Sequence, residues 1–224
     1  MPRSYPKGVR NKIAHDVGSL RDDRFFPMKA RDEVCNDDHV AALNGWADKI
    51  AAANGKKVPH FDPRSGGKNA RVLVLLQDPS RVAQHGSRFI SRDNNDRTAH
   101  NTAWCEDQVG LAYEENVHWN VIPWWVKDPD LAIDGKLPSL ADEARAAGEF
   151  LHELIEMLPN VTKVLLVGGE AQRAWARASR VAHLRELDVK GCPHTSPLAF
   201  NRAENQALTL EASAWAAEPI GRRR

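Results

Sequence analysis

The sequence is poor in the features that would hold a chain together covalently. Its 224 residues include three cysteines, Cys35, Cys105 and Cys192, which are far apart and form no C-x-x-C pair. An odd, scattered set of thiols favours neither a disulfide framework nor a four-cysteine zinc or iron–sulfur site. We therefore expect reduced thiols and no metal.

Long apolar runs and an excess of one charge are also missing. The longest aliphatic run covers residues 72–76, far short of the roughly 20 residues of a membrane-spanning helix, and the N-terminal residues lack the apolar core of a secretory signal. Lysine and arginine number 31 against 30 aspartates and glutamates, which gives a net charge of +1 and identifies no polyanionic partner by itself. These features predict a cytoplasmic protein without membrane contact and do not exclude a local basic face on its surface. We expect the protein to be a monomer.

What is present is the composition of one globular domain. Hydrophobic residues make up 42% of the chain and charged residues 27%, so disorder and fibrous repeats are disfavoured. We expect a single domain over residues 1–224. Residues 1–35 and 218–224 carry basic side chains without an apolar pattern, and we expect them to form extended arms.

Short apolar runs alternate with helical patterns along the chain. Strands are predicted at 71–76, 117–122, 163–167 and 183–189. Helices are predicted from a cap at Asn36 or Asp37 to Asn54, and at 98–109, 139–158, 169–180 and 201–217, with Ser139 and Asp142 as a capping pair. This alternation indicates an α/β fold, a three-layer αβα sandwich with a four-stranded, mainly parallel sheet.

Polar residues follow the predicted strands at the edge where ligands bind in such folds. Gln77 and Asp78 come after the first strand, Asn120 ends the second, Gly168 follows the third, and His194 follows the fourth. An acid, amides and an imidazole are thereby predicted on one rim of the sheet.

Two of these segments resemble the signature segments of the uracil-DNA glycosylase superfamily, especially of its first family. Residues 74–79 read VLLQDP, similar to the family's GQDPYH, and residues 194–198 read HTSPL, similar to its HPSPLS. The resemblance covers roughly residues 71–202. The chain departs from these motifs at Ser80, where the family has tyrosine, at Arg81, where it has histidine, and at Thr195, where it has proline. Residues 91–101 match no family motif, so the chain resembles a divergent member.

The resemblance implies a DNA-repair glycosylase that hydrolyses the bond between uracil and deoxyribose and leaves an abasic site. Asp78 and His194 are the implied catalytic residues, the first serving the attacking water and the sugar cation, the second donating to uracil O2. The residues implied to bind uracil are Gln77 through its backbone, Phe89 by stacking and Asn120 at the base edge. The residues implied to contact single- or double-stranded DNA are Ser80, Ser196, Leu198 and Arg202.

These residue types suit the chemistry. Cleavage of an N-glycosidic bond leaves positive charge on the sugar and negative charge on the base, so a carboxylate and a neutral imidazole donor are the groups required, without a metal or redox cofactor. The target atom is inaccessible inside a duplex, and flipping the base out explains an aromatic floor and an apolar wedge, the role implied for Leu198.

Each of these residues also has a purely structural interpretation. Asp78 and Pro79 are typical of a turn that ends a strand, Phe89 is typical of a core, and a leucine ahead of a helix commonly packs onto the core. Two other functions remain open: a protein that holds uracil-containing or abasic DNA without turnover, and a hydrolase of free nucleosides.

Overall fold

The computed structural model describes residues 37–181 and 186–219, so the expected arm at 1–35 and most of the arm at 218–224 lie outside the described residues. The helices are α1 (Ala41–Asn54), α2 (Arg97–Gln108), α3 (Leu140–Ala146), α4 (Phe150–Met157), α5 (Gly169–Val181), α6 (Pro197–Phe200) and α7 (Ala203–Ala217). The strands are β1 (His60–Phe61), β2 (Val72–Leu76), β3 (Phe89–Ile90), β4 (Asn116–Asn120), β5 (Lys163–Val167) and β6 (Asp188–Cys192).

Four parallel strands form the main sheet in the order β4-β2-β5-β6. Val72 pairs with Asn116 on one side and with Lys163 on the other, and Lys163 pairs in turn with Asp188. The chain leaves β2 for one edge and then crosses to the opposite side for β5. This reversal opens a crevice at the carboxyl ends of β2 and β5, the place where open α/β sheets bind ligands.

Alternate residues of the strands contribute to two separate cores. Leu73 and Leu75 pack in one cluster with side chains of α1 and α4, whereas Val72 and Val74 pack in a second cluster with Ala212 of α7. A sheet covered on both faces requires the continuous apolar runs seen in the sequence. The predicted α/β sandwich with a four-stranded parallel sheet is confirmed.

The predicted helix at 139–158 is two helices. Ser139 caps α3 as expected, since its Oγ accepts from the Asp142 backbone N–H at 3.2 Å and donates to Asp142 Oδ2 at 2.7 Å. The break lies at Gly148, a residue type that weakens helices and at which an added Cβ would lie 3.3 Å from the Arg145 carbonyl oxygen.

The prediction of a fourth strand at 183–189 is wrong, because β6 covers Asp188–Cys192. Residues 182–185 lie outside the described residues. Of its five residues only Cys192 is buried, and Val189 is 39% exposed. An edge strand with a solvent-exposed face lacks the apolar run by which the other three strands were recognised. Within residues 37–181 and 186–219, no helix is long and apolar enough to span a bilayer.

Candidate active site

A cavity of about 430 Å³ opens at the carboxyl ends of the central strands. Its wall is formed by the segments after β2, β3 and β6, by the end of β4 and by the first turns of α2. Six residues predicted from the sequence line it: Gln77, Asp78, Ser80, Asn120, His194 and Ser196. The fold therefore brings both predicted catalytic side chains into one cavity.

Asp78 is held by one hydrogen bond to each carboxylate oxygen. Gln77 Nε2 donates to Oδ1 at 2.8 Å, and the backbone N–H of Val126 donates to Oδ2 at 3.2 Å. Burial raises the pKa of Asp78 above its usual value, opposed by these two hydrogen bonds and by the charge of Lys127. The result is a carboxylate of fixed orientation that is more basic than usual, which suits a group that accepts a proton from water.

His194 is fixed as a neutral donor by its own loop. The backbone N–H of Ser196 donates to His194 Nδ1 at 2.9 Å, so the proton of the neutral ring is on Nε2. Burial lowers the pKa of His194, which favours the neutral ring. The imidazole lies against Gly168, where φ is +91° and an added Cβ would come within 2.6 Å of His194 Cδ2. Glycine is required at 168 for both reasons.

Asn120 is the last residue of β4 and is 5% exposed. It pairs with Leu76, and beyond it the Ile122 N–H donates to the Gln77 carbonyl at 2.9 Å. These contacts extend the β2–β4 pairing to the first residue of the loop that carries Asp78. The Gln77 backbone carbonyl thus accepts from Ile122, and its side-chain Nε2 donates to Asp78, two contacts that the sequence did not show.

Phe89 is not part of the cavity wall. Its side chain is fully buried, and the wall is formed instead by Ile90 and Ser91. Successive side chains of a strand point in opposite directions, so β3 directs Ile90 and Phe89 to different sides. Besides His194, the aromatic rings of the described residues that line the cavity are those of His118 and Trp125.

Ser80 and Leu198 lie in contrasting environments. The Ser80 hydroxyl donates to Asp96 Oδ2 at 2.8 Å and accepts from the Ala83 N–H at 3.2 Å, so it has no hydrogen left to donate to a DNA phosphate. Leu198, on the short helix α6, is 88% exposed, which excludes packing onto the core. Ser196 precedes α6, and the exposed Arg202 precedes α7, so both flank Leu198.

Several cavity residues were not predicted from the sequence, among them Lys127 and His118. Lys127 lies at the cavity and acts electrostatically on Asp78. His118 Nε2 lies 2.7 Å from Glu106 Oε1, and Arg92 donates to Glu106 Oε2 at 3.0 Å. Burial acts to raise the pKa of Glu106, but the charges and hydrogen bonds of His118 and Arg92 lower it below its usual value. The two-residue spacing of His118 and Asn120 on one strand face was the available signal for His118.

Among residues 37–181 and 186–219, no group of three or more His, Cys, Asp or Glu side chains is arranged to hold a metal ion. Residues 63–217 match the family model of the Uracil DNA glycosylase superfamily. The matched region contains Asp78, Asn120 and His194 and includes every strand of the main sheet. No curated protein matches the chain.

Proposed function

The chain belongs to the uracil DNA glycosylase superfamily, and from this we propose that it removes uracil from DNA by hydrolysing the N-glycosidic bond, leaving an abasic site. The observation that carries the proposal is the pairing of groups in one cavity: Asp78 as a carboxylate held by two donors, and His194 as a neutral imidazole with its proton on Nε2.

The two groups stabilise opposite charges in the transition state. As the bond between C1′ and uracil N1 breaks, Asp78 balances the positive charge on the sugar and accepts a proton from the water that adds to C1′. His194 donates a hydrogen bond from Nε2 to uracil O2, where negative charge develops, and keeps its proton. Uracil leaves as an anion, so a group that donates without ionising is sufficient.

Asn120 supports the choice of uracil. Its carbonyl oxygen accepts from uracil N3–H and its amide donates to O4, whereas cytosine presents the reverse pattern and leaves buried groups unpaired. Discrimination of about 10⁴-fold is within the range of such a mechanism. Because Phe89 lies outside the cavity wall, we assign contact with the ring of the base to the half-buried Trp125.

Leu198 supports DNA as the substrate. An 88% exposed leucine at the start of a helix, four residues after His194, is suited to fill the space of a base that has left the stack. We assign Ser196 and Arg202, on either side of it, to contacts with the DNA backbone.

The test is incubation of the protein, in the presence of a chelator, with single- and double-stranded oligonucleotides that carry one uracil, followed by hot alkali. We expect strand cleavage at the uracil in both substrates. Asp78→Asn should slow the reaction by roughly 10²-fold or more, because it removes the charge that meets the sugar cation. Asp134→Asn, an exposed substitution at a position with φ of +50°, is the matched control and should retain full activity.

Two other results would support a different function. Retention of the uracil oligonucleotide without alkali-sensitive sites would indicate a binding protein and contradict the proposal. Cleavage of free deoxyuridine with intact oligonucleotides would indicate a nucleoside hydrolase, which needs no exposed leucine wedge.

A further inference from the structure

The segment that begins α2 is tied to the loop that carries Asp78. Ser80, two residues after Asp78, donates from Oγ to Asp96 Oδ2 at 2.8 Å. The other oxygen of the same carboxylate, Asp96 Oδ1, accepts from the Ala99 N–H at 2.9 Å and caps the helix. One side chain thereby fixes the Asp78 loop to the first turn of α2.

The next turn of α2 is tied to the loop that carries His194. Asn101 Nδ2 donates to the Thr195 carbonyl at 2.7 Å. Thr102 Oγ1 donates to the Thr98 carbonyl at 2.9 Å, so at its 2.8 Å contact with Thr195 Oγ1 it must be the acceptor. The residue that follows His194 is therefore held at both its carbonyl and its hydroxyl, and it is 1% exposed.

The partners of α2 coincide with the departures from the family motifs. Ser80 stands where the family has tyrosine and Thr195 where it has proline, and residues 91–101 match no family motif. A proline at 195 has no hydroxyl to donate, and a tyrosine at 80 would carry its hydroxyl at the far end of a ring. The side chain of each of these two departures is thus hydrogen-bonded to the N-cap or the second turn of α2.

We propose that Asp96, Asn101 and Thr102 are positioning residues that set how Asp78 and His194 face each other across the cavity. The inference rests on the proposed glycosylase function. The helix is suited to this role because it is anchored in the protein, with Cys105 buried and Trp104 in edge contact with Phe200 at 6.0 Å between ring centres. Its residues Thr98 and Ala99 also form part of the cavity wall.

Thr195 is coupled to the His194 ring through the next residue, Ser196. The hydrogen bond that fixes the His194 tautomer comes from the Ser196 N–H, one residue beyond Thr195. If Thr195 is released, the 194–196 turn loosens, and both the direction of Nε2–H and the preference for that tautomer are weakened. Orientation errors of this kind reduce kcat rather than substrate binding.

The test compares Asn101→Ala and Thr195→Val with Thr195→Ser, which restores the hydroxyl. Using a single-stranded uracil oligonucleotide, we expect the first two variants to lose roughly 10-fold to 100-fold in kcat with KM changed by less than about threefold, and Thr195→Ser to stay near wild type. Nitrogen-15 NMR of the His194 ring should show the Nε2–H tautomer in wild type and Thr195→Ser and a mixture in the other two.

Asn54→Ala is the matched control, since Asn54 Nδ2 makes the same kind of bond, to the Ile50 carbonyl at 2.9 Å, on α1. It should change neither kcat nor the His194 tautomer. Wild-type kcat in Asn101→Ala and Thr195→Val would overturn the proposal, and so would a loss of rate that only follows the loss of folded protein with the tautomer unchanged. If wild type excises no uracil, the glycosylase proposal fails, while the NMR comparison still decides whether α2 positions His194.

Discussion

Asp78 and His194 are shifted in opposite directions by burial. The pKa of Asp78 is raised from 3.8 and that of His194 is lowered from 6.5. The proposed reaction requires Asp78 ionised and His194 neutral, a state that is populated above both pKa values. Because burial lowers the His194 pKa below 6.5 in the folded protein, the neutral ring is the majority form at pH 6.5.

The pH dependence follows from this. We expect kcat/KM, measured from about pH 4 to about pH 9, to show an acid limb with its midpoint below pH 6.5, as His194 and Asp78 gain protons. An acid limb with its midpoint above 6.5 would contradict its assignment to a His194 ring whose pKa burial lowers.

Asn120→Asp changes the pattern presented to the base edge. A carboxylate accepts from N3–H or from an exocyclic amine but cannot donate to uracil O4. We expect uracil excision to fall by roughly 10-fold to 10²-fold, and cytosine to become a detectable substrate, in a comparison of both bases in the same oligonucleotide context. An unchanged rate on uracil would remove Asn120 from the site.

Helices and strands with a clear local hydrophobic pattern are predicted well from the sequence. Elements and side-chain directions that depend on tertiary neighbours are not. β5 was predicted to the residue because both of its faces are buried, and α2 to within one residue. β6 was misplaced because an edge strand needs no apolar run. The stacking role of Phe89 is implied by the family resemblance, which does not determine to which side of a two-residue strand its ring points.

The residues of the candidate site also divide into those that a local sequence pattern predicts and those that it does not. Asp78, Asn120 and His194 follow from the rule that polar residues at the ends of parallel strands converge, and the cavity contains all three. The contacts of Asp96 and Asn101 join segments that are far apart in sequence, so no local pattern reveals them. Sequence alone therefore predicted polar groups that share the cavity but not the residues that hold them.

The short helix α6 gives a prediction that separates duplex from single-stranded DNA. Leu198→Ala should slow excision from a duplex by roughly 10-fold or more and affect a single strand little, because only a duplex leaves a gap when the base is flipped out. Leu208→Ala, another exposed leucine, on α7, is the matched control and should leave both rates unchanged. Equal losses on the two substrates would show that Leu198 is not a wedge.

For the molecule as a whole, two buried thiols link stability to pH. Burial raises the pKa of Cys105 and Cys192 from 9.0, and that of Cys192 to about 12. In the unfolded chain these thiols ionise near 9.0, so their contribution to stability is complete below that pH and is lost as the pH rises toward 12.

We therefore expect the free energy of unfolding in urea to decrease with pH above 9.0, and Cys192→Ala to make this decrease less steep. Measurements at closely spaced pH values between neutral and alkaline conditions provide the slope. The same slope in wild type and variant would show that the Cys192 thiol ionises equally well in the folded protein.

The proposed enzyme hydrolyses the bond between uracil and deoxyribose and turns over. This is tested by counting the moles of free uracil released per mole of protein, in chelator, from an excess of a single-stranded oligonucleotide carrying one uracil. We expect release that continues linearly through many equivalents, with an abasic strand formed for each uracil and a large loss of rate in Asp78→Asn. Release that stops at or below one equivalent, or no release while the oligonucleotide stays bound, would contradict it.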